Sequence, residues 1–402
     1  MEETYYLSRG NEMKKKHLLM LGTVAAVVIL AVTTSLVGCK GDNNGDDQEV
    51  IEINPSDFNI SDEGGEGEEA EEEEPYEEFR EGCIRSELTN EWIDESLENQ
   101  RPIAIMVDNE STALDHYGVN SADIVYEMMN STLNARITRL MCVYKDWGSL
   151  ERVGSIRSTR PTNLMIAAEY NAILIHDGGP FYIDYYIKQP YTTHLSGGFA
   201  RYSNGKATEF TEYVTISDYT NPNTGKSYPG LNSRISASNI STEYNEYKGE
   251  DHFQFEKGSV DFSNKSNVFD ATYIELPFSH NSSKLTYNEE TKKYEYSEYG
   301  KPHIDPLDND NVTSFTNVIL QCTSFTQLDS GGYMVYNLTD STTDYGYYIS
   351  NGKGFPIIWK KSGESGVTHY YNGATGEELK LNTGKIYIAL VPADTWGALI
   401  VK

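Results

Sequence analysis

Cysteine is scarce in this sequence, with four residues in a chain of 402. Cys39 lies near the start, and the other three, Cys83, Cys142 and Cys322, are an odd number without zinc-finger spacing. Such a set excludes a disulfide framework and a zinc finger. Cys142 and Cys322 lie in apolar stretches, so we predict that both thiols are buried.

Common catalytic and nucleotide-binding signatures are also missing. The chain has no Gly-x-Ser-x-Gly elbow, no Walker phosphate loop, no Gly-x-Gly-x-x-Gly fingerprint and no His-Glu-x-x-His helix. Their absence weakens an enzyme hypothesis without excluding it. We predict no cofactor and no metal, and whether the protein is an enzyme stays open.

Positive charge is in short supply, because 32 Lys and Arg face 61 Asp and Glu, for a net charge of −29. Residues 40–81 alone hold 18 acidic and two basic side chains. Such a segment is too polar and too charged to pack, so we predict a disordered tether over 40–82. Its negative sign argues against docking to anionic lipid headgroups.

A bacterial lipoprotein signal is predicted over 1–39. A basic segment beginning at Met13, the predicted translation start, precedes the apolar run Leu18–Val32, and the letters LVGC end at Cys39. A diacylglyceryl group on Cys39 would hold the protein on the outer face of the cytoplasmic membrane of a Gram-positive bacterium. The alternative is an uncleaved membrane helix, since an apolar run of this length can span a bilayer.

The remaining sequence predicts an α+β fold in two parts. Residues 100–250 alternate strand and helix patterns, which predicts an α/β domain with a mixed sheet. One of its helices is predicted over 238–248, with Ser238 as the N-cap. Residues 265–402 carry strand after strand with Asn-Gly turns, which predicts a mainly antiparallel β domain.

Arg136–Gly179 holds the most recognisable chemistry. Ile137–Tyr144 reads as a strand, a helix is expected to begin at Pro161 and to end near Asn171, and Ala172–Ile175 reads as a buried strand. Residues 136–160 contain six basic side chains and only two acidic ones. The six are Arg136, Arg139, Lys145, Arg152, Arg157 and Arg160.

An anion site is one interpretation of these arginines. Arg157, Ser158 and Arg160 precede the predicted helix, whose free N–H groups favour phosphate, sulfate or carboxylate. Asp108, Glu127 and His176 are expected to converge there from strand ends. The alternative is that the arginines are struts that pair with Glu127, Asp123 or Asp108.

His303 and Asp305 lie two residues apart in GKPHIDP and would share one face of an extended segment. That spacing suits an acid–base pair or two metal ligands. We favour the alternative of a rigid turn between two prolines, in which Asp305 accepts backbone N–H groups and His303 packs.

Several motifs resemble one family. RPIAIMVDN, SADIVYE, ITRLMCVY, ERVGSIRSTRP and EYNAILIHDGG are followed in order by YGKPHIDP, TNVILQ, GKGFPIIWKK and GKIYIALVP. The chain resembles the YerB-like bacterial lipoproteins (DUF3048), a two-part family of unknown function, from about residue 100 to the end. The resemblance implies a location and an architecture but no reaction. Two departures are Pro180-Phe181-Tyr182 after the HDGG motif, and Arg136, which lies outside the family motif.

Two functional hypotheses result. The first is a binding or scaffold lipoprotein for an anionic ligand, either extracellular DNA or a phosphate-bearing wall polymer. Its ligand-binding candidates are Arg139, Arg152, Arg157, Ser158, Arg160, Glu127, Asp108, His176, His303 and Asp305. The alternative is a wall-polymer hydrolase or transferase that uses Glu127, His176, His303 or Asp305. Partner hypotheses are the membrane through Cys39, the anionic polymer, and a second copy of the chain in a homodimer.

Overall fold

The computed structural model describes residues 76–339 and 344–402. The predicted signal segment 1–39, with Cys39, and the tether up to residue 75 lie outside these described residues. Within the described part, no helix combines the length and the hydropathy needed to cross a bilayer.

Among the described residues, thirteen strands and two α-helices form the first part of the fold. The strands are β1 (Cys83–Arg85), β2 (Trp92–Asp94), β3 (Ile103–Asp108), β4 (Ile124–Met129), β5 (Thr138–Tyr144), β6 (Arg152–Gly154), β7 (Ile173–His176), β8 (Thr193–Ser196), β9 (Ala200–Arg201), β10 (Glu212–Thr215), β11 (Tyr219–Thr220), β12 (Ser227–Tyr228) and β13 (Gln254–Phe255). The helices are α1 (Pro161–Glu169) and α2 (Leu231–Ala237).

The second part is made of strands. They are β14 (Phe269–Asp270), β15 (Tyr273–Glu275), β16 (Lys284–Asn288), β17 (Lys293–Glu298), β18 (Lys301–Pro302), β19 (Ile304–Asp305), β20 (Asn311–Val312), β21 (Ser314–Phe315), β22 (Asn317–Thr323), β23 (Phe325–Gln327), β24 (Met334–Tyr336), β25 (Tyr345–Ser350), β26 (Lys353–Lys361), β27 (Thr368–Asn372), β28 (Lys380–Leu381), β29 (Ile386–Pro392) and β30 (Ile400–Val401). Short 3-10 turns lie at Glu95–Leu97, Ser111–Ala113, Val119–Ser121, Trp147–Ser149, Phe181–Ile183, Tyr186–Lys188, Thr208–Phe210 and Ala393–Ala398.

An 11-stranded sheet organises the molecule, in the order β14-β26-β25-β22-β29-β4-β5-β3-β7-β8 with β27 on β26. The strands β22, β29 and β4 run parallel. β5 is antiparallel to both of its neighbours, β4 and β3. The sheet is therefore mixed, and it takes strands from both sequence regions because β4 pairs with β29.

The central strands are buried on both faces, as their nearly continuous apolar sequences predict. One face packs on α1 through residues such as Met106, Met141 and Leu164. The opposite face packs on the small sheet of β15, β16 and β17 through residues such as Val107 and Leu285. Because successive side chains of a strand point to opposite faces, neighbouring residues of one strand pack in different layers.

The described residues are mostly strands with few helices, which agrees with the predicted α+β class at that level. The helix predicted over 238–248 is wrong, since α2 ends at Ala237 and Ser238 is its C-cap. A serine at the other end of a helix explains the error, because polar residues flank helices on both sides. The division into domains 100–250 and 265–402 stays a prediction.

Candidate functional site

Two buried polar clusters lie on opposite faces of the central sheet. Arg139 pairs in register with Asp108 across β5 and β3, and its neighbour Leu140 pairs with Glu127 of β4. Adjacent residues of a strand point to opposite faces, so Arg139 and Glu127 lie on different sides of the sheet. The expected convergence of Asp108, Glu127 and His176 on one site is therefore wrong for Glu127.

The first group, the arginine cluster, consists of Arg139, Arg157 and Arg160 with Asp108. At Arg157 the segment 157–160 lies between β3 and the residue that follows β7, with backbone hydrogen bonds to both. Arg157 N donates to Met106 O at 3.0 Å, and Asp177 N donates to Arg157 O at 3.0 Å. Because Asp177 follows the end of β7, these bonds bring the arginine segment beside His176.

Arg157 is an ion-paired member of the cluster. Its Nε lies 2.6 Å from Asp108 Oδ2, although the N–H is not aligned for a hydrogen bond. Its Nη2 donates to Glu209 Oε2 at 3.1 Å. Pairing with Asp108 is what the strut hypothesis expects, whereas Asp123 accepts from the backbone N of Lys145 instead, at 2.6 Å.

Arg139 and Arg160 differ, because in the described part of the chain neither has a carboxylate oxygen within 4.0 Å. Arg139 is 6% exposed and donates to Asn130 Oδ1 at 3.2 Å and to Ser158 O at 2.5 Å. Arg160 is 9% exposed and donates to Thr159 O at 2.9 Å. The Nε of Arg139 is buried without any hydrogen-bond partner there.

The pKa values of Arg139 and Arg160 are both lowered, chiefly by burial. Burial, and after it the charge of Arg160, lowers the pKa of Arg139 to about 9. Burial lowers the pKa of Arg160 to about 10. Neither guanidinium has a carboxylate in direct contact among the described residues, and an anion with several oxygen acceptors would supply such a partner.

Helix α1 begins behind this cluster with Pro161 at its first position, as the sequence predicts. The backbone N of Arg160 donates to Asn163 Oδ1 at 2.8 Å, which closes the first turn. One amide expected to be free for a ligand is therefore already used. The donors left to the candidate site are chiefly guanidinium groups and the half-buried Ser158.

The other predicted basic residues lie elsewhere. The Arg152 guanidinium stacks 3.7 Å from the ring centroid of Tyr117 and 4.6 Å from that of Tyr202. Arg136 forms a bidentate pair with Asp394, at 2.8 and 2.6 Å. Neither belongs to the arginine cluster, so the predicted set is split by the fold.

His176 is 1% exposed and its hydrogen bonds are already made. Its Nδ1 lies 2.8 Å from Gly178 O, and its Nε2 lies 3.0 Å from His194 Nδ1. Burial lowers the pKa of His176 to about 4, so the ring is neutral at physiological pH. It lies beside the arginine segment but adds no charge to it.

The second group, the carboxylate–histidine cluster, consists of Glu127, Glu298, His116 and His303. All four are at most 2% exposed. Asn281 Nδ2 joins the two carboxylates, donating to Glu127 Oε1 at 2.7 Å and to Glu298 Oε2 at 3.0 Å. Burial, together with the charge of Glu127, raises the pKa of Glu298 to about 8.

Tyrosine hydroxyls complete the environment of Glu127, which accepts from Tyr296 at 3.0 Å and from Tyr387. Burial nevertheless raises the pKa of Glu127. Glu298 is not among the residues predicted from sequence, although the alternation in KYEYSE places Tyr294, Tyr296 and Glu298 on one inward face of β17. His116 lies in a loop and offers no such signal.

His303 and Asp305 are both buried but have separate partners. His303 Nε2 lies 2.8 Å from His116 Nδ1, and its Nδ1 lies 2.9 Å from Thr313 Oγ1. Asp305 accepts from the backbone N of Asn120 and of Leu307, each at 3.0 Å. This is the arrangement that the turn hypothesis describes for Asp305.

A surface cavity of about 350 Å³ lies away from both clusters. Its lining mixes acids with lysines, among them Glu256, Glu377 and Lys380. It contains none of the sequence-predicted site residues. Buried ionisable side chains, rather than cavity size, therefore distinguish the two clusters.

Two family models match the chain. They are "Protein of unknown function (DUF3048) N-terminal domain" over residues 88–227 and the corresponding C-terminal domain over 274–388, which together cover more than half of the sequence. The chain belongs to the DUF3048 family. The arginine cluster falls within the N-terminal match, whereas the carboxylate–histidine cluster takes residues from both matches.

The chain is also similar to YerB of Bacillus subtilis (strain 168), whose name places it among the lipoproteins. The two are 27% identical over 95 residues, which is 24% of this chain and 28% of YerB. The aligned region thus spans less than a third of that relative. The crystal structure of YerB from Bacillus subtilis matches with a TM-score of 0.61 at 18% identity, over 79% of this chain and 99% of that one. This likeness shows the fold.

Proposed function

We propose that this protein is a membrane-anchored extracytoplasmic binding or scaffold lipoprotein that holds an anionic ligand at the arginine cluster. The ligand classes are a phosphate-bearing polymer of the cell wall and extracellular DNA. The observation that carries the proposal is the burial of Arg139 and Arg160 with no carboxylate within 4.0 Å among the described residues.

Burying an unpaired charge is costly, and proteins ordinarily pair such a group. Arg139 and Arg160 have no carboxylate partner among the described residues, so an anion that binds them would gain charge-assisted hydrogen bonds. Arg157 and Ser158 are only half-buried, so they lie where a ligand would enter. A phosphate presents several oxygen acceptors and suits planar guanidinium donors better than a lone amide does.

Localisation is proposed from two supports. The LVGC motif ending at Cys39 is typical of a lipidation site, and the similar protein YerB is named as a lipoprotein. Two acyl chains on Cys39 would suffice for stable anchoring at the outer face of the cytoplasmic membrane of a Gram-positive bacterium. The acidic tether would then hold the fold away from the anionic bilayer surface.

The alternative, a wall-polymer hydrolase or transferase, depends on Glu127, His176, His303 or Asp305. All four side chains are buried. Their hydrogen bonds are made to neighbouring protein groups, which leaves no surface against which a polymer could lie. Binding therefore explains the geometry better than catalysis.

The decisive experiment compares the double variant Arg157→Ala/Arg160→Ala with the wild type in co-sedimentation with wall fragments and in DNA retention. Arg136→Ala is the matched control, because it removes an arginine paired with Asp394 outside the cluster. We expect the double variant to bind at least about tenfold more weakly, as for the loss of charge-assisted hydrogen bonds, and the control to bind normally. Wall fragments stripped of phosphate polymer separate the two ligand classes.

Equal retention of the double variant and the wild type, with both folded by circular dichroism, would refute the site. Product release from the wall fragments would instead support the hydrolase alternative. We expect binding to weaken as the salt concentration rises for both wall polymer and DNA, because contacts with phosphate release counterions.

A further inference from the structure

We propose that the carboxylate–histidine cluster is a buried site for a divalent transition metal, of which zinc is the best match. The ligands would be His116 Nδ1, His303 Nε2 and Glu298 Oε1. These three residues each offer a ligand atom, and the atoms lie within 4.8 Å of one another. Two imidazoles and a carboxylate form a donor set common to zinc sites.

The separations between the proposed ligand atoms are close to those found around a bound metal ion. His116 Nδ1 and His303 Nε2 are 2.8 Å apart, and His303 Nε2 lies 3.9 Å from Glu298 Oε1. Tetrahedral zinc with bonds of about 2.0–2.1 Å places neighbouring ligand atoms about 3.3 Å apart. Opening the first distance and closing the second by roughly half an ångström each would bring both separations to that spacing.

Charge is the independent argument for a cation. Glu127 and Glu298 share the donor Asn281, and in the described residues no Lys or Arg nitrogen lies within 4.0 Å of either carboxylate. Two carboxylates buried together without a cation repel one another and lose their hydration. A divalent ion bound by Glu298, with Glu127 close behind it, would relieve that repulsion.

The surrounding groups favour metal ligation by His303. Its Nδ1 lies 2.9 Å from Thr313 Oγ1, so Nδ1–H can donate to the hydroxyl while Nε2 keeps the lone pair for a metal. A hydrogen bond from the other ring nitrogen fixes the tautomer of a histidine that binds a metal. Tyr296 and Asn281 orient Glu298 in the same way. The Nε2 of His116 is buried without a well-directed partner among the described residues.

The site would join the two halves of the chain. His116 follows β3 in the region of the DUF3048 N-terminal match, whereas Glu298 ends β17 and His303 precedes β19 in the C-terminal match. The cluster is enclosed, so a metal there would be structural. It lies on the face of the central sheet opposite the arginine cluster, and the inference does not depend on the proposed anion ligand.

The test is to refold the protein with zinc, remove loose metal by gel filtration, and measure bound zinc by mass spectrometry and the melting temperature with and without a strong chelator. We expect one zinc per chain and a melting temperature several degrees lower after chelation. Glu298→Gln and His116→Gln should each lose the bound zinc and the chelator effect. His369→Gln, at a half-buried histidine paired with Glu378, is the matched control and should keep both.

A cobalt measurement on the wild type tests the site without any variant, and it therefore applies even if the variants do not fold. Wild-type protein refolded with Co²⁺ should show the visible absorption of a tetrahedral ion, and zinc should displace it. Wild type that retains no metal and gives no cobalt spectrum would overturn the proposal. Zinc retained equally by Glu298→Gln, His116→Gln and the control would overturn it as well, because the ion would then lie elsewhere.

Discussion

Lys361 Nζ lies 2.8 Å from Glu169 Oε1, and this contact ties the last residue of α1 to the end of β26. The other oxygen of Glu169 accepts from His252 Nε2 at 2.8 Å and from Thr368 N at 2.9 Å. The Lys361 and Glu169 side chains are 0% and 2% exposed. A helix from the first part of the chain is thus held to strands of the second by one satisfied buried carboxylate.

Removing one partner of this pair should destabilise the fold strongly. Lys361→Met leaves Glu169 buried with one fewer cationic partner, and we expect the free energy of unfolding to fall by about 3 kcal/mol. Combined with Glu169→Leu, the loss should be smaller than the sum of the single effects, since no unpaired charge remains. Urea denaturation of the wild type, the two single variants and the double variant gives the four unfolding free energies of a double-mutant cycle. Strictly additive effects would show that the two groups do not interact.

The same carboxylate should make stability depend on pH. Burial opposes the ionisation of Glu169, but Lys361 and His252 hold its pKa at about 2, below the ordinary 4.5. A depressed pKa contributes stability that is present above about 4.5 and is lost as pH falls towards 2. The difference in unfolding free energy between wild type and Glu169→Gln should therefore shrink between pH 5 and pH 2. A difference that stays constant over that range would contradict the assignment.

Inorganic phosphate should stabilise the protein through the arginine cluster. A ligand that binds only the folded state raises the melting temperature with concentration. At equal ionic strength we expect phosphate to raise it more than chloride does in wild type and in Arg136→Ala, and no more than chloride in Arg157→Ala/Arg160→Ala. Differential scanning fluorimetry measures this, and equal phosphate effects in all three proteins would place the anion elsewhere.

Membrane attachment should depend on Cys39. If this residue carries the lipid, Cys39→Ser should leave the precursor uncleaved and unlabelled by a radioactive fatty acid. A matched substitution at Cys83, which lies outside the predicted signal, should change neither processing nor labelling. A Cys39→Ser protein whose size and membrane fractionation are the same as those of the wild type would favour the uncleaved membrane helix instead.

Limited proteolysis should test the two-part organisation. After cleavage in the tether, we expect the next cut within 249–267, which joins the two predicted domains, rather than within 190–226, which contains the strands β8 to β11. The two fragments should still elute together in native gel filtration, because β4 and β29 are adjacent strands of one sheet. Separate elution of the fragments would show that each part folds without the other.

Local features were largely predictable from sequence, and long-range ones were not. The apolar run after Arg101 gave β3, and Pro161 correctly marked the start of α1, because burial and a fixed φ leave local traces. Strand pairing leaves none, so nothing in the sequence placed β29 between β22 and β4. For the same reason the arginine segment was found from its local charge, whereas the meeting of His116 with Glu298 and His303 required the fold.

The position of β29 has a consequence for how the chain is made. A polypeptide emerges N-terminus first, yet residues 386–392 form the strand that fills the gap between β4 and β22. Until β29 has appeared, β4 presents a row of unpaired backbone groups and an apolar edge, which is a template for association with other chains. Completing the protein therefore requires that its first half be kept apart from its neighbours during synthesis and transport, and a chain truncated before β29 should aggregate rather than fold.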